Sequence, residues 1–133
     1  MDKLLRIFVV EDSPSVLDSL LVFLHIPGQV EIVGLADTEE EAIVAILAGS
    51  PDVIIVDLNL REGNGLAVID KVRQAGLKPL PQIIVFTNHA SPEIKQRALQ
   101  LGADYVFDKS VEQEGLRNTL QSLRAGQPVD EGV

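Results

Sequence analysis

Short apolar runs alternate along this chain with longer stretches in which apolar residues recur at helical spacing. Runs rich in β-branched residues, such as VIIV at residues 53–56, are typical of buried strands, whereas apolar residues at every third or fourth position indicate amphipathic helices. The pattern predicts strands over residues 4–10, 31–35, 53–57, 82–87 and 105–109, and helices over 14–24, 39–48, 66–76, 92–101 and 111–124. The helical stripes predict inward-facing side chains that include Leu20, Ile46, Leu47, Ile94 and Leu116.

The regular alternation of strand and helix indicates the fold class. Such a pattern predicts an α/β fold, in which parallel strands are joined by right-handed helical crossovers. For this number of elements we expect a flavodoxin-like three-layer (βα)5 domain with a five-stranded sheet of order 2-1-3-4-5. We expect the domain to span residues 1–125 and to be followed by a loose C-terminal tail over 126–133.

The composition of the chain argues against several classes of function. No apolar run approaches the ~20 residues that a membrane-spanning helix requires, and the first residues lead directly into a strand, so we expect neither a membrane span nor a signal peptide. The chain has no cysteine, which excludes disulfides and thiol catalysis and suits a cytoplasmic protein. A net charge of −9 argues against direct nucleic-acid binding, which needs a basic face, and is compatible with a bound cation.

Polar side chains follow four of the predicted strands at the point where each strand ends. Glu11 and Asp12 follow the first strand, Asp57 ends the third, Thr87 the fourth and Lys109 the fifth. In open α/β sheets, ligands bind beyond the carboxyl ends of the strands. If the first and third strands are neighbours, the three carboxylates meet there, and Mg²⁺ is the cation that such oxygen ligands suit. This arrangement predicts phosphoryl transfer with Asp57 as the nucleophile.

This pattern resembles the receiver domain of two-component response regulators over almost the whole chain. The resemblance is carried by Glu11-Asp12, the strand ending at Asp57, Gly65, Thr87, the GAD sequence at 102–104, and Lys109. It implies that Asp57 accepts a phosphoryl group from a phosphohistidine on a sensor histidine kinase or a histidine phosphotransfer protein. It further implies a signalling phosphoacceptor, whose own chemistry is limited to Mg²⁺-dependent self-phosphorylation and dephosphorylation.

The resemblance also implies roles for individual residues. Asp12 and Asp57 would ligate Mg²⁺ directly, the backbone carbonyl of Asn59 would be a third protein ligand, and Glu11 would act through water. Thr87 and Lys109 would contact the phosphoryl oxygens and shift the output face, formed by the fourth helix, fifth strand and fifth helix. That face is also the expected surface for a homodimer. A downstream protein target or an output domain outside this sequence would receive the signal.

Several positions depart from the pattern of the family. Ser110 follows Lys109 where a proline is usual, which leaves open whether that peptide bond is cis. Arg61 also stands where the family usually has proline. Asn88 replaces a small residue after Thr87, and His89 is a candidate modulator of phosphoryl hydrolysis. The aromatic switch position holds Val106, with Tyr105 one step earlier on the opposite face of the strand, so a large ring is missing from the switch.

Three other classes of protein share parts of this pattern. A flavodoxin-type FMN binder needs a phosphate loop after the first strand, where Glu11 and Asp12 would repel a phosphate. A haloacid-dehalogenase-type phosphatase has its nucleophile after the first strand in an Asp-x-Asp pattern, whereas here Asp57-Leu58-Asn59 follows the third. The main alternative is a pseudo-receiver that acts as a protein-binding module without phosphorylation, although all five site residues are present.

Overall fold

The computed structural model describes residues 4–25, 29–88 and 90–125. Its strands are β1 (Leu5–Val10), β2 (Val30–Ala36), β3 (Val53–Val56), β4 (Gln82–Thr87) and β5 (Tyr105–Asp108). Its helices are α1 (Pro14–Leu24), α2 (Glu39–Gly49), α3 (Gly65–Ala75), α4 (Pro92–Leu101) and α5 (Gln113–Arg124). The strands form one parallel sheet of order β2-β1-β3-β4-β5, which confirms the predicted α/β fold and strand order.

The helices cover the sheet on both faces. Leu20 and Leu24 of α1 pack with Leu116 and Leu120 of α5 on one face, whereas α2, α3 and α4 cover the other face. Every residue of β3 is buried, because this central strand has helices on both sides. This burial explains why its sequence is a continuous apolar run rather than an alternating one.

Helix boundaries follow from local hydrogen bonds. The side chains of Ser13, Thr38, Asn64 and Ser91 accept hydrogen bonds from backbone N–H groups in the first turns of α1 to α4. The predicted start of the last helix at residue 111 is wrong. Backbone N–H groups of residues 111 and 112 donate to the Asp108 carbonyl, so residues 109–111 form a turn and α5 begins at Gln113.

Two predicted core positions are also wrong. Leu47 is 38% exposed because it lies one position beyond Ile46, which faces the sheet. Ile94, also 38% exposed, lies in the first turn of α4, and this helix packs on the core through its later residues Ala98 and Leu101.

Some predictions fall outside the described part of the chain. His89 and the tail over 126–133 lie there, so the role of His89 and the domain boundary stay predictions. The Lys109–Ser110 peptide bond is trans, and the cis bond found in the described residues joins Lys78 and Pro79. No helix within residues 4–25, 29–88 and 90–125 is long and apolar enough to cross a membrane.

Candidate functional site

The register of the sheet brings the predicted site residues to one edge. Val10 of β1 lies opposite Val56 of β3, so Glu11 and Asp57 leave their strands side by side. The Asp57 N–H donates to the Val10 carbonyl at 2.9 Å, which joins the two strand ends. On the other side, β4 pairs with β3 and β5 pairs with β4, so Thr87 and Lys109 reach the same edge.

The Asp57 carboxylate is buried and faces three hydrogen-bond donors. The Thr87 hydroxyl donates to Oδ1 at 2.7 Å, and the backbone N–H of Asn59 donates to the same oxygen at 3.2 Å. The Lys109 ammonium donates to Oδ2 at 2.9 Å. Both carboxylate oxygens are therefore held by groups that are themselves able to donate to a phosphoryl oxygen.

Lys109 bridges two carboxylates at the centre of the site. Its Nζ contacts Glu11 as well as Asp57, and the Glu11 carboxylate also accepts from the Ser13 N–H at 3.2 Å. Burial raises the pKa of the Glu11 carboxyl, and the Lys109 hydrogen bond offsets only part of this effect. Burial also acts to lower the pKa of Lys109, but the hydrogen bonds to Glu11 and Asp57 and the negative charges of these two residues together outweigh burial and raise the pKa.

The acidic residues are arranged to hold a cation. Glu11, Asp12 and Asp57 each offer a carboxylate oxygen, and these oxygens lie within 4.8 Å of one another. Lys109 supplies one positive charge against three negative charges, so the site keeps a net charge of about −2. Oxygen ligands and an uncompensated double negative charge fit a hard divalent cation such as Mg²⁺.

Gly65 allows the close packing behind Asp57. It is the first residue of α3, and a Cβ placed on it would lie 2.3 Å from the Asp57 carbonyl oxygen and 2.8 Å from the Leu58 Cα. Both of these neighbours are backbone atoms, which cannot move aside without moving Asp57. A side chain at this position would therefore displace the strand end that carries the site.

We expect Gly65→Ala to lower the free energy of unfolding by about 1–3 kcal/mol, the usual cost of overpacking. Gly49→Ala is the matched control, because a Cβ there meets nothing within 4 Å. Alanine is the better helix former, so the control should be neutral or more stable by up to about 1 kcal/mol. Urea unfolding of both variants measures the difference, and equal stability of the two would contradict the steric argument.

The remaining candidate residues surround this centre. Asn88 is exposed and lines, with Lys109, Phe86 and Gln113, an open groove beside α1. Tyr105 is buried on the α1 and α5 face, stacked on Phe107 with ring centroids 6.3 Å apart. Val106 packs on the opposite face, as predicted from strand alternation.

Sequence reasoning missed a second set of contacts. Asp37 follows β2 at the same edge of the sheet, and its carboxylate pairs with Arg61 in the segment after Asp57. The available signal was weak, because the strand predicted over residues 31–35 stops one residue short of the observed end of β2, and Asp37 therefore does not directly follow the predicted strand.

Fold and site together define a class: a flavodoxin-like α/β domain with an acidic, cation-compatible centre at the carboxyl edge of its sheet. Within that class, the chain belongs to the family of response regulator receiver domains, whose family model matches residues 7–121. It is therefore a receiver domain of two-component signal transduction.

Known proteins agree with this assignment. A protein-glutamate methylesterase/protein-glutamine glutaminase from Agrobacterium fabrum is 36% identical over 104 residues, which cover 77% of this chain and 29% of that protein. The transcriptional regulatory protein DesR from Bacillus subtilis is 29% identical over 126 residues, which cover 95% of this chain and 61% of DesR. The chain thus spans less than two thirds of either relative.

A solved receiver domain has a similar structure. The signal receiver domain of the response regulator NarL from Mycobacterium tuberculosis matches with a TM-score of 0.82 at 26% sequence identity. The match covers 94% of this chain and 99% of that one.

Proposed function

We propose that Asp57 accepts one phosphoryl group, with Mg²⁺ held by Asp12, Asp57 and the Asn59 carbonyl, and by Glu11 through water. The observation that carries this proposal is the meeting of Asp57, Thr87 and Lys109 beside the carboxylates of Glu11 and Asp12. No described residue favours the pseudo-receiver alternative, because every side chain that the chemistry needs faces the site.

In the proposed reaction, one carboxylate oxygen of Asp57 attacks the phosphorus atom of a phosphohistidine. The new O–P bond forms as the N–P bond breaks, and the leaving imidazole nitrogen keeps the bonding electron pair. Thr87 and Lys109, which now donate to the Asp57 carboxylate, turn to donate to the phosphoryl oxygens. When bound, Mg²⁺ would neutralise negative charge on those oxygens.

The experiment that tests this proposal is incubation of the whole chain with acetyl phosphate, read by intact mass. With Mg²⁺ we expect the gain of one phosphoryl group, and with EDTA in place of Mg²⁺ we expect none. Phosphorylated histidine kinase or phosphotransfer protein can replace acetyl phosphate as the donor. Uptake that is indifferent to EDTA would contradict the metal assignment, and no uptake from any donor would contradict the phosphoacceptor role.

The partners of this domain are part of the same proposal. A sensor histidine kinase or a histidine phosphotransfer protein would supply the phosphoryl group in the cytoplasm. A downstream protein, or an output domain in a longer chain, would receive the signal. The relatives of this chain include both a protein-glutamate methylesterase/protein-glutamine glutaminase and a transcriptional regulatory protein, so more than one kind of output is compatible with this domain.

We further propose that phosphorylation shifts the α4–β5–α5 face, but only in part. The Thr87 and Lys109 contacts would each contribute about 1.5–3 kcal/mol, before the loss of the bonds they now make to Asp57 is subtracted. Driving a two-state element from 1:99 to 99:1 needs about 5.5 kcal/mol. Val106 is half-buried and offers no large ring to stabilise the shifted state. The same face is the proposed surface for a homodimer.

Amide NMR with beryllofluoride, a stable substitute for the phosphoryl group, measures this shift. We expect changes over residues 90–103 and 105–115, at positions intermediate between two end states. Thr87→Ala should return those peaks toward the unmodified positions, because it removes one of the two contacts. Changes confined to the residues around Asp12, Asp57 and Asn59 would show a site that is not coupled to the output face.

A further inference from the structure

The β3–α3 loop, residues 58–64, is closed at its base beside Asp57. The Leu58 carbonyl accepts from the Gly65 N–H at 3.0 Å, and Asn59 pairs with Asn64 in an antiparallel bridge. The Asn59 N–H donates to Asp57 Oδ1 at 3.2 Å. The conformation of this loop therefore orients both the Asn59 backbone and the Asp57 carboxylate.

The far end of the same loop is attached to the start of α2. Glu62 pairs with Thr38 in a parallel bridge, and the Glu62 carbonyl accepts from the Glu39 N–H at 3.0 Å. The Glu39 side chain accepts from the Asn64 N–H at 3.1 Å. The loop thus spans from the phosphoacceptor to the segment that follows β2.

A side-chain ion pair completes this attachment. Arg61 donates through Nε to Asp37 Oδ2 at 3.3 Å and through Nη2 to Asp37 Oδ1 at 3.2 Å. The two parallel contacts match the fork of a guanidinium to a carboxylate, which gives directional specificity as well as attraction. Both side chains are about half exposed, at 55% and 44%, so the pair contributes little to global stability. Its direct effect is local, on the loop conformation.

We propose that Asp37 and Arg61 are positioning residues, whose ion pair holds the β3–α3 loop in the conformation that binds Mg²⁺ and presents Asp57. This inference rests on the proposed function of Asp57. Arg61 stands where the resembling receiver domains usually have proline, which restricts the backbone by itself. Without proline, the loop has more conformations to sample, and the pair with Asp37 selects among them. The measured Kd for Mg²⁺ equals the intrinsic Kd divided by the competent fraction, which is the fraction of molecules whose loop is in the conformation that binds Mg²⁺.

Arg61→Ala is the decisive variant, because two explanations predict opposite changes in the Kd for Mg²⁺. If Arg61 acted only through its charge, removing a cation from the edge of an acidic site would tighten Mg²⁺ binding. If it positions the loop, its removal lowers the competent fraction and raises the Mg²⁺ Kd, by about threefold when that fraction falls from about 0.9 to 0.3. Calorimetric titration of the whole unphosphorylated chain with Mg²⁺ measures the sign directly.

Further variants separate the ion pair from general charge effects. Asp37→Ala should raise the Mg²⁺ Kd by a similar factor, and the double variant should be no worse than either single one. Exchanging the partners, with Asp37→Arg and Arg61→Asp together, should recover part of the loss. Glu40→Ala removes the same negative charge from a neighbouring exposed position, and it should leave Kd unchanged.

A metal-free readout and a rate readout complete the test. Without Mg²⁺, the amides of Asn59 and Asn64 should exchange with solvent about sevenfold faster in Arg61→Ala, because the open fraction of the loop rises from about 0.1 to about 0.7, at an unchanged melting temperature. The Mg²⁺ concentration for half-maximal phosphorylation should rise about threefold, and the rate at saturating Mg²⁺ should not change. If the wild type binds Mg²⁺ and Arg61→Ala binds Mg²⁺ equally well or more tightly, the positioning role is wrong and the proposed function of Asp57 stands. A wild type that binds no Mg²⁺ and takes up no phosphoryl group overturns the proposed function and this inference together.

Discussion

Asp57→Asn is expected to abolish phosphoryl uptake from acetyl phosphate completely. Asparagine has nearly the shape of aspartate, and its carbonyl oxygen still accepts from Thr87 and Asn59, so the fold should be retained. A neutral amide is a poor nucleophile toward phosphorus, and it also removes one of the three negative charges proposed to hold Mg²⁺. Intact mass after incubation with Mg²⁺ should therefore show no gain.

Asp52→Asn is the matched control for this variant. Asp52 precedes the same strand, β3, at its opposite end, and its carboxylate accepts from the Arg6 N–H at 2.9 Å. An asparagine oxygen can accept the same hydrogen bond, and the site is not touched. We expect wild-type uptake from the control, and equal uptake by the two variants would mean that the phosphoryl group is carried elsewhere.

Lys109→Met should cause the largest loss of stability among the site variants in metal-free protein. The Lys109 side chain is 9% exposed, and it is the ammonium that faces both Glu11 and Asp57. Removing one partner of a buried ion pair leaves uncompensated charge, which usually costs about 3–5 kcal/mol. Lys109 also lines an open groove, so water reaches part of the site, and we expect a value of about 3 kcal/mol. Urea unfolding in EDTA measures it.

Lys95→Met provides the comparison, because it removes the same kind of side chain from an exposed pair. Lys95 Nζ lies 3.5 Å from Glu112 Oε1, and the two side chains are 40% and 36% exposed. Exposed ion pairs of this kind contribute at most about 1 kcal/mol to the free energy of unfolding. Added Mg²⁺ should stabilise Lys109→Met more than the wild type, since a cation compensates the carboxylates that Lys109 otherwise neutralises. An equal decrease in the free energy of unfolding in the two lysine variants would show that Lys109 is not part of a buried charge network.

The fold could be predicted closely from the apolar pattern. Buried strands such as β3 need apolar residues on both faces, and each helix has a stripe of its own, so local sequence is sufficient to place them. Errors arose where a side chain decided the boundary. Asp108 holds the turn over residues 109–111 by accepting hydrogen bonds from the backbone N–H groups of residues 110–112 through its carboxylate and carbonyl, and this delays the start of α5. Nothing in the apolar pattern reports such a hydrogen bond.

The residue types of the site were also evident in the sequence, because parallel strands expose their carboxyl ends along one edge of a sheet. That rule predicts that Glu11, Asp57, Thr87 and Lys109 lie together. It did not say which atoms would meet. The contact of Lys109 with Glu11 joins residues 98 positions apart, and it depends on the β1–β3–β4–β5 register.

The pairing of Asp37 with Arg61 shows most clearly what only the tertiary structure decided. Each residue alone has the pattern of an ordinary solvated charge in a loop, and no periodicity connects two loops 24 residues apart. Their contact exists because β2 lies beside β1 at the edge of the sheet and α2 packs against α3, which brings the two segments together. Sequence by itself determined the elements, the strand ends and the residues with the right chemistry, since these are local properties. The packed sheet decided the partners of those residues, since side-chain contacts across strands depend on register and distance in space.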